Sequence, residues 1–201
     1  MKPIKEKRER SLGTKLFLKA DRCNSPKCVM VRRPYRPGPH GQKRKRAGSD
    51  YSKQLQEKQR IRFMYGLTNR QMVTLFKGKE KEKIMSTLEH RLDRVVFLIG
   101  IAMSPRIARQ LISHGHITVN GRKVTIPSFH VKVGDVVSVR SESRKLKLFE
   151  DLGQHLKKHT PPSWLKITSV EDAKGQCVKE FSSRETQFPF DINLVGEFFA
   201  R

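Results

Sequence analysis

The sequence predicts an α+β protein: a basic, extended N-terminal arm, a mostly helical part, and a small α/β unit of two helices on an antiparallel sheet. Three observations carry this. Pro and Gly punctuate a strongly basic stretch at the front of the chain. Apolar residues then recur at helical spacing up to Ser113. From Ile117 the period changes to two, around Asn120-Gly121, the strongest short hairpin signal.

The arm is expected over residues 1–48. Pro26, Pro34, Pro37 and Pro39 break any long helix there, and Gly38, Gly41 and Gly48 add turns. Between Val31 and Arg46 lie seven Lys or Arg and no acid, with Tyr35 and His40 interleaved as rings able to stack on bases. Such composition is also that of a solvated tail, and the two readings are compatible if the arm orders on its ligand.

A helix is expected over residues 49–66, capped by Ser49 or Ser52 and ended by Gly66. Tyr51, Leu55, Lys58 and Arg62 share one of its faces, apolar first and basic after. Thr68 caps a second helix through Phe76, and Lys77 to Lys83 reads as a solvated linker or helical face. Ser86 to Glu89 has the form of a capping box before Leu88, Leu92, Val95, Val96 and Ile99, and Gly100 ends that helix. Ser104-Pro105 opens the next helix, which carries Ile107, Ala108, Leu111 and Ile112 on one face and leaves Arg106, Arg109 and His114 for a partner. Gly115 stops it. Ile117 and Val119, the Asn120-Gly121 turn and Lys123 form a hairpin; Val131 to Val139 reads as a further strand pair around Gly134-Asp135. Beyond residue 150 the signal weakens to a turn that buries Trp164, an extended Phe188-Pro189-Phe190, and a short helix from Leu194 to Phe199.

The formal charge of +24, from 43 Lys and Arg against 19 Asp and Glu, calls for a polyanion. Nucleic acid offers dense phosphates and counterion release. An anionic membrane surface is the rival, but it would need bulky apolar anchors beside the charge, and the most basic stretch has few. No run approaches the roughly 18 apolar residues of a membrane span, and the charged start does not read as a secretory signal, so a soluble, intracellular protein is expected. The net charge is +15 over residues 1–62, +2 over 63–89, +7 over 90–150 and zero over 151–201. The first and third segments should therefore carry the polyanion footprint, and the last should pack on protein or face solvent.

Ser104 to Gly121, continued by Ile126-Pro127-Ser128-Phe129 and Val133-Gly134-Asp135, resembles the S-four-type RNA-binding domain. Arg33 to Gly41 resembles the basic Pro/Gly arm of the small-subunit ribosomal protein S-four family. Asp50-Tyr51, Gln54-Leu55 and Glu57-Lys58-Gln59 resemble that family's first helix, and Pro162 to Leu165 with Glu197-Phe198-Phe199 its C-terminal segment. The likeness covers nearly the whole chain from about residue 12. It implies a helical domain, first part 49–88, with the RNA-binding module of residues 89–150 inserted in it and a C-terminal segment, 151–201, packing back on the helical domain. It also implies direct binding to small-subunit ribosomal RNA at a multi-helix junction and early action in assembly of the subunit body. Implied too are neighbouring small-subunit proteins and messenger RNA as partners, an effect on decoding accuracy, no cofactor, and a ribosomal location in the cytoplasm or in an organelle matrix or stroma.

The candidate RNA-binding residues are Arg22, Arg32, Arg33, Tyr35, Arg36, His40, Lys43, Arg44 and Arg46 of the arm; Tyr51, Lys58 and Arg62 of the first helix; and Arg106, Arg109, His114, His116 and Lys123 of the module. Cys23 and Cys28 make half a zinc site. Many family members complete it with an earlier Cys pair, but the matching positions here are near Glu6 and Glu9, so two free thiols and no metal are expected. His114-Gly115-His116 suits a helix end and RNA contact better than metal. His90-Arg91-Leu92-Asp93 resembles the catalytic motif of RNA pseudouridine synthases, some of which carry the same module. Asp93 falls in an apolar-periodic helix, however, and only about 50 residues follow the module, too few for a catalytic domain. Asp93 is read instead as a helix-surface acid paired with a nearby Arg. A free-standing regulatory module of the heat-shock ribosome-rescue kind would need neither the arm nor the Trp segment.

Overall fold

A computed structural model describes residues 5–43, 48–78, 80–182 and 188–200. The chain forms two compact units, Met1–Ile84 with Thr186–Arg201, and Met85–Glu185.

In the first unit the arm is less extended than its composition suggests. It winds into α1 (Lys5–Leu12), α2 (Ala20–Cys23) and α3 (Val29–Arg32). Short helical turns between Pro and Gly breaks bury Leu12, Leu16 and Leu18 against Phe63 and Met64. The buried Glu9 carboxylate organises the loop after α1 by accepting the Leu16 and Leu18 amides at 3.0 and 3.2 Å. Helix α4 (Asp50–Met64) starts at Ser49, whose hydroxyl accepts the Ser52 amide, and ends before Gly66 at φ +57°. Helix α5 (Asn69–Phe76) opens on a reciprocal capping box between Thr68 and Gln71. The last helix, α10 (Ile192–Phe199), lies on α4 and α5 through Phe76–Phe199 and Tyr51–Phe198 ring contacts.

Helix α6 spans Lys81–Glu89. Ser86 to Glu89 is thus the end of a helix and not a capping box at the start of the next. The buried residues Ile84, Met85 and Leu88 explain why the charged stretch before them winds up. Helices α7 (Leu92–Ile99) and α8 (Pro105–Ser113) follow, the second capped by Ser104 with Pro at its first position. Gly100 ends α7 in the left-handed region. The freed α7 carbonyls are met by two rings of α9 (Leu152–Lys158 and its C-cap): His155 Nδ1 lies 3.2 Å from Gly100 O, and His159 Nε2 lies 2.8 Å from Leu98 O.

One antiparallel sheet covers these helices, in the order β2 (Arg122–Lys123), β1 (Ile117–Val119), β3 (Val136–Val139), β5 (Lys174–Cys177), β4 (Leu165–Ser169). Gly175 of β5 faces Ile99 so closely that a Cβ there would stand 2.6 Å from Ile99 Cδ1. This contact seats α7 on the sheet. Two expectations are corrected here. Val131 to Val133 does not form a strand with β3: Gly134 turns the chain, the Asp135 carboxylate accepts the Lys132 amide, and β3 pairs with β1 and β5. Residues 165–177, expected with the helical part, supply half of this sheet, because burying Leu165, Cys177 and Trp164 needs the apolar face of the module.

Candidate nucleic-acid interface

Helix α8 buries Ala108, Leu111 and Ile112 and leaves Arg106, Gln110 and Ser113 exposed along the opposite face. The exposed His114 is its C-cap, and Gly115 (φ +78°) turns the chain into β1. Lys123, from the neighbouring strand, lies across that turn. A Cβ on Gly115 would stand 2.2 Å from Lys123 Cε and 2.9 Å from its Nζ. The missing side chain is therefore what lets a lysine amine reach the carbonyl end of α8, where a cation is favoured. The hairpin is held by Asn120 (φ +49°), which accepts the Val136 amide at 2.9 Å and donates to Asp135 at 2.8 Å. Arg106, His114, Arg122 and Lys123 are exposed on these elements.

Two candidates of the module are engaged within the fold. Arg109 was expected to be free for a partner. Its Nε and Nη2 instead donate to Asp93 Oδ2 at 3.2 and 2.6 Å, while Arg91 donates through Nε to Oδ1 and through Nη2 to the shared Oδ2 at 3.0 and 2.9 Å. Asp93 is only 5% exposed, so it is a buried acid, not a surface one, and both guanidinium groups are drawn to it. His116 is half-buried, with Nδ1 3.0 Å from Ser143 Oγ and its ring edge-on to Phe149.

The first unit shows the same division. Arg22, Arg32, Arg33, Arg36, His40 and Lys43 are exposed; Arg44 and Arg46 lie outside the described residues. Tyr35 is half-buried beneath the Arg10 guanidinium, 4.8 Å from ring centroid to cation. Arg10 also donates to Tyr35 O and Arg36 O at 2.9 and 3.2 Å, so it pins the arm, a role its place in a basic run did not signal. Tyr51 is half exposed beside Phe198. Lys58 was expected at the interface, but its amine sits 4.3 Å above the Phe198 ring and 5.1 Å from that of Phe199. Burial, with Arg62 close by, pulls its pKa below the ordinary lysine value. Arg62 is half-buried and reaches Gln59 at 3.3 Å.

At the half zinc site, the Glu9 carboxylate lies 3.9 and 4.0 Å from the Cys23 thiol. Burial, then the neighbouring carboxylates, hold that thiol above its usual pKa, the opposite of what a thiolate ligand needs. Among the described residues no three His, Cys, Asp or Glu side chains gather as a metal would require. The donor set does not fit zinc. Among the described residues, too, no helix is long and apolar enough to cross a membrane.

Comparison with known proteins gives two family matches and a set of relatives. The family described as "S4 domain" matches residues 90–137, and that described as "Ribosomal protein S4/S9 N-terminal domain" matches residues 2–94. The chain is 45% identical to the small ribosomal subunit protein uS4 of Thermus thermophilus over 195 residues, covering 94% of this chain and 93% of the relative. The protein of the same name from Oleidesulfovibrio alaskensis is 44% identical and that from Halothermothrix orenii 42%, each with the same coverage. These relatives are ribosomal proteins and not enzymes, which sets the pseudouridine synthase reading aside. Two family matches that together run from residue 2 to residue 137, and relatives that align over nearly the whole chain, show that it belongs to the uS4 family of small ribosomal subunit proteins.

Proposed function

We propose that this chain binds small-subunit ribosomal RNA directly, at a junction of several RNA helices in the subunit body, and that it helps the junction fold early in assembly. The observation that carries this is the exposed edge of Arg106, His114, Arg122 and Lys123, three of them cations, mounted on α8 and the hairpin. A fixed set of donors reads the shape, phosphates and hydroxyls of structured RNA, while the exposed arm cations supply phosphate contacts with little sequence information. Binding the folded junction more tightly than open forms stabilises it by linkage. A place beside other small-subunit proteins, close to where messenger RNA enters, and an influence on decoding accuracy complete the reading. The protein then resides on the ribosome, in the cytoplasm or in an organelle matrix or stroma.

The test is affinity for a small-subunit ribosomal RNA fragment and for an unrelated structured RNA, each titrated with salt. A preference for the ribosomal fragment that survives near-physiological salt supports the reading. Equal affinities that fall together with salt leave only a polycation. Arg106→Glu with Lys123→Glu should weaken binding to the ribosomal fragment by about a hundredfold or more, two charge-assisted contacts being worth roughly 1.5–3 kcal/mol each, with the circular dichroism spectrum unchanged. Arg109 is unsuited to this test, since its loss strips a partner from buried Asp93.

A further inference from the structure

In the first unit, α1, the segment from α2 to α3, and Pro37 enclose a cleft of about 400 Å3 lined by Lys7, Arg10, Arg22, Arg32, Arg33 and one acid, Glu6. Three separate segments deliver these cations, so the fold and not a sequence run brings them together. Five like charges around a concavity repel one another, and the protein walls focus their field into it. Two are already committed. Arg22 is ion-paired with Glu6 across 3.2 Å, and Arg10 is fixed by two backbone carbonyls and the Tyr35 ring. Lys7, Arg32 and Arg33 are exposed and have no ion-pair partner among the described residues. A surplus of three cations thus faces a space whose rim is held rigid by Arg10. Guanidinium groups match an oxyanion bidentately, and a site set before binding loses little entropy on filling.

We propose that this cleft seats a single phosphate group, and that the phosphate is one of an RNA backbone, so that the arm holds RNA at one defined point as well as along a charged track. The inference rests on the RNA-binding reading above and adds to it a discrete site, with Lys7 and Arg10 as members.

The test compares the full-length chain with Arg32→Gln/Arg33→Gln and with a charge-matched control, Lys157→Gln/Lys158→Gln, two exposed lysines on α9. Affinity for the ribosomal RNA fragment is measured over a salt series. The Arg32/Arg33 variant should lower the log–log salt slope by up to about 1, the value for one phosphate being ~0.9 on a DNA duplex and ~0.7 on a single strand. The control should change it far less. Equal slopes and affinities for the two variants overturn the proposal. In a second arm, inorganic pyrophosphate is titrated calorimetrically at matched ionic strength. Saturable binding that the Arg32/Arg33 variant abolishes, beside unchanged RNA affinity, assigns the cleft to a free phosphate compound and overturns the RNA assignment. If wild type shows no preference for ribosomal over unrelated RNA but the variant lowers the slope on both, the cleft stands and the ribosomal junction reading falls.

Discussion

Asp93 shows how a residue can carry a functional-looking motif for structural reasons. A buried carboxylate held by two guanidinium groups is stable only while both remain, and removing one partner of such a set typically costs about 3–5 kcal/mol. Asp93→Ala should therefore lower stability by about that much in denaturant unfolding, since it removes the acceptor that Arg91 and Arg109 share; a change below about 1 kcal/mol would contradict the burial. His90 gives a pH prediction. Its Nδ1 lies 3.0 Å from Val131 O and its Nε2 accepts the Phe181 amide at 3.2 Å, an arrangement that needs the neutral ring. Burial is the chief cause that pulls its pKa below the usual 6.5. The unfolded chain thus takes up a proton first as pH falls, and stability should decline from about pH 6.5 down to the folded pKa, then level off as far as this group is concerned. Comparing wild type with His90→Phe by urea unfolding between pH 8 and pH 5 isolates this slope; parallel curves would sink the assignment. The sequence marked the exposed cations of the candidate site, because a charged residue off the apolar face of a helix usually faces solvent. It did not reveal Arg109 or Lys58, whose partners are Asp93 on another helix and rings 140 residues away in the chain.

At the scale of elements, boundaries with local chemistry were legible. Ser49, Thr68 and Ser104 cap the helices expected of them, Gly100 and Gly115 end α7 and α8, and Asn120-Gly121 turns the hairpin, since each signal acts within four residues. Elements set by distant packing were not. Leu165–Ser169 and Lys174–Cys177 alternate weakly, contain Lys and Gly, and become strands because β3 offers them an edge. Helices α1 to α3 owe their form to the Leu12, Leu16 and Leu18 cluster and to Glu9. Gly175 tests the dependence on packing. Its Cβ would press on three carbons of Ile99 within 2.9 Å, and overpacking of this kind costs about 1–3 kcal/mol. Gly175→Ala should lower the unfolding midpoint accordingly, and pairing it with Ile99→Val should recover part of the loss. If the two losses simply add, Ile99 is not what opposes the methyl group.

For the whole molecule the decisive quantity is the charge of +24. The ion pairs on the surface are worth about 0–1 kcal/mol each, and salt weakens them. Repulsion among the unpaired cations opposes compaction and is also screened, as the Debye length falls from about 10 Å at 0.1 M to 3 Å at 1 M salt. The two effects have opposite signs, and the numbers decide between them. Cations exceed acids by more than two to one, and several of the pairs, Arg94 with Glu89 and Arg109 with Asp93 among them, involve buried carboxylates that salt screens little. Repulsion should therefore dominate. Raising sodium chloride from 0.05 to 0.5 M should increase the melting temperature of the free protein by several degrees, for a gain of about 1–2 kcal/mol at this chain length. Over the same range affinity for RNA should fall steeply, because each neutralised phosphate gives back its counterion advantage. The protein is then most in need of its RNA at low salt, where it binds it best. A melting temperature that falls with salt would mean that surface pairs outweigh repulsion, and that the fold tolerates its charge without a polyanion.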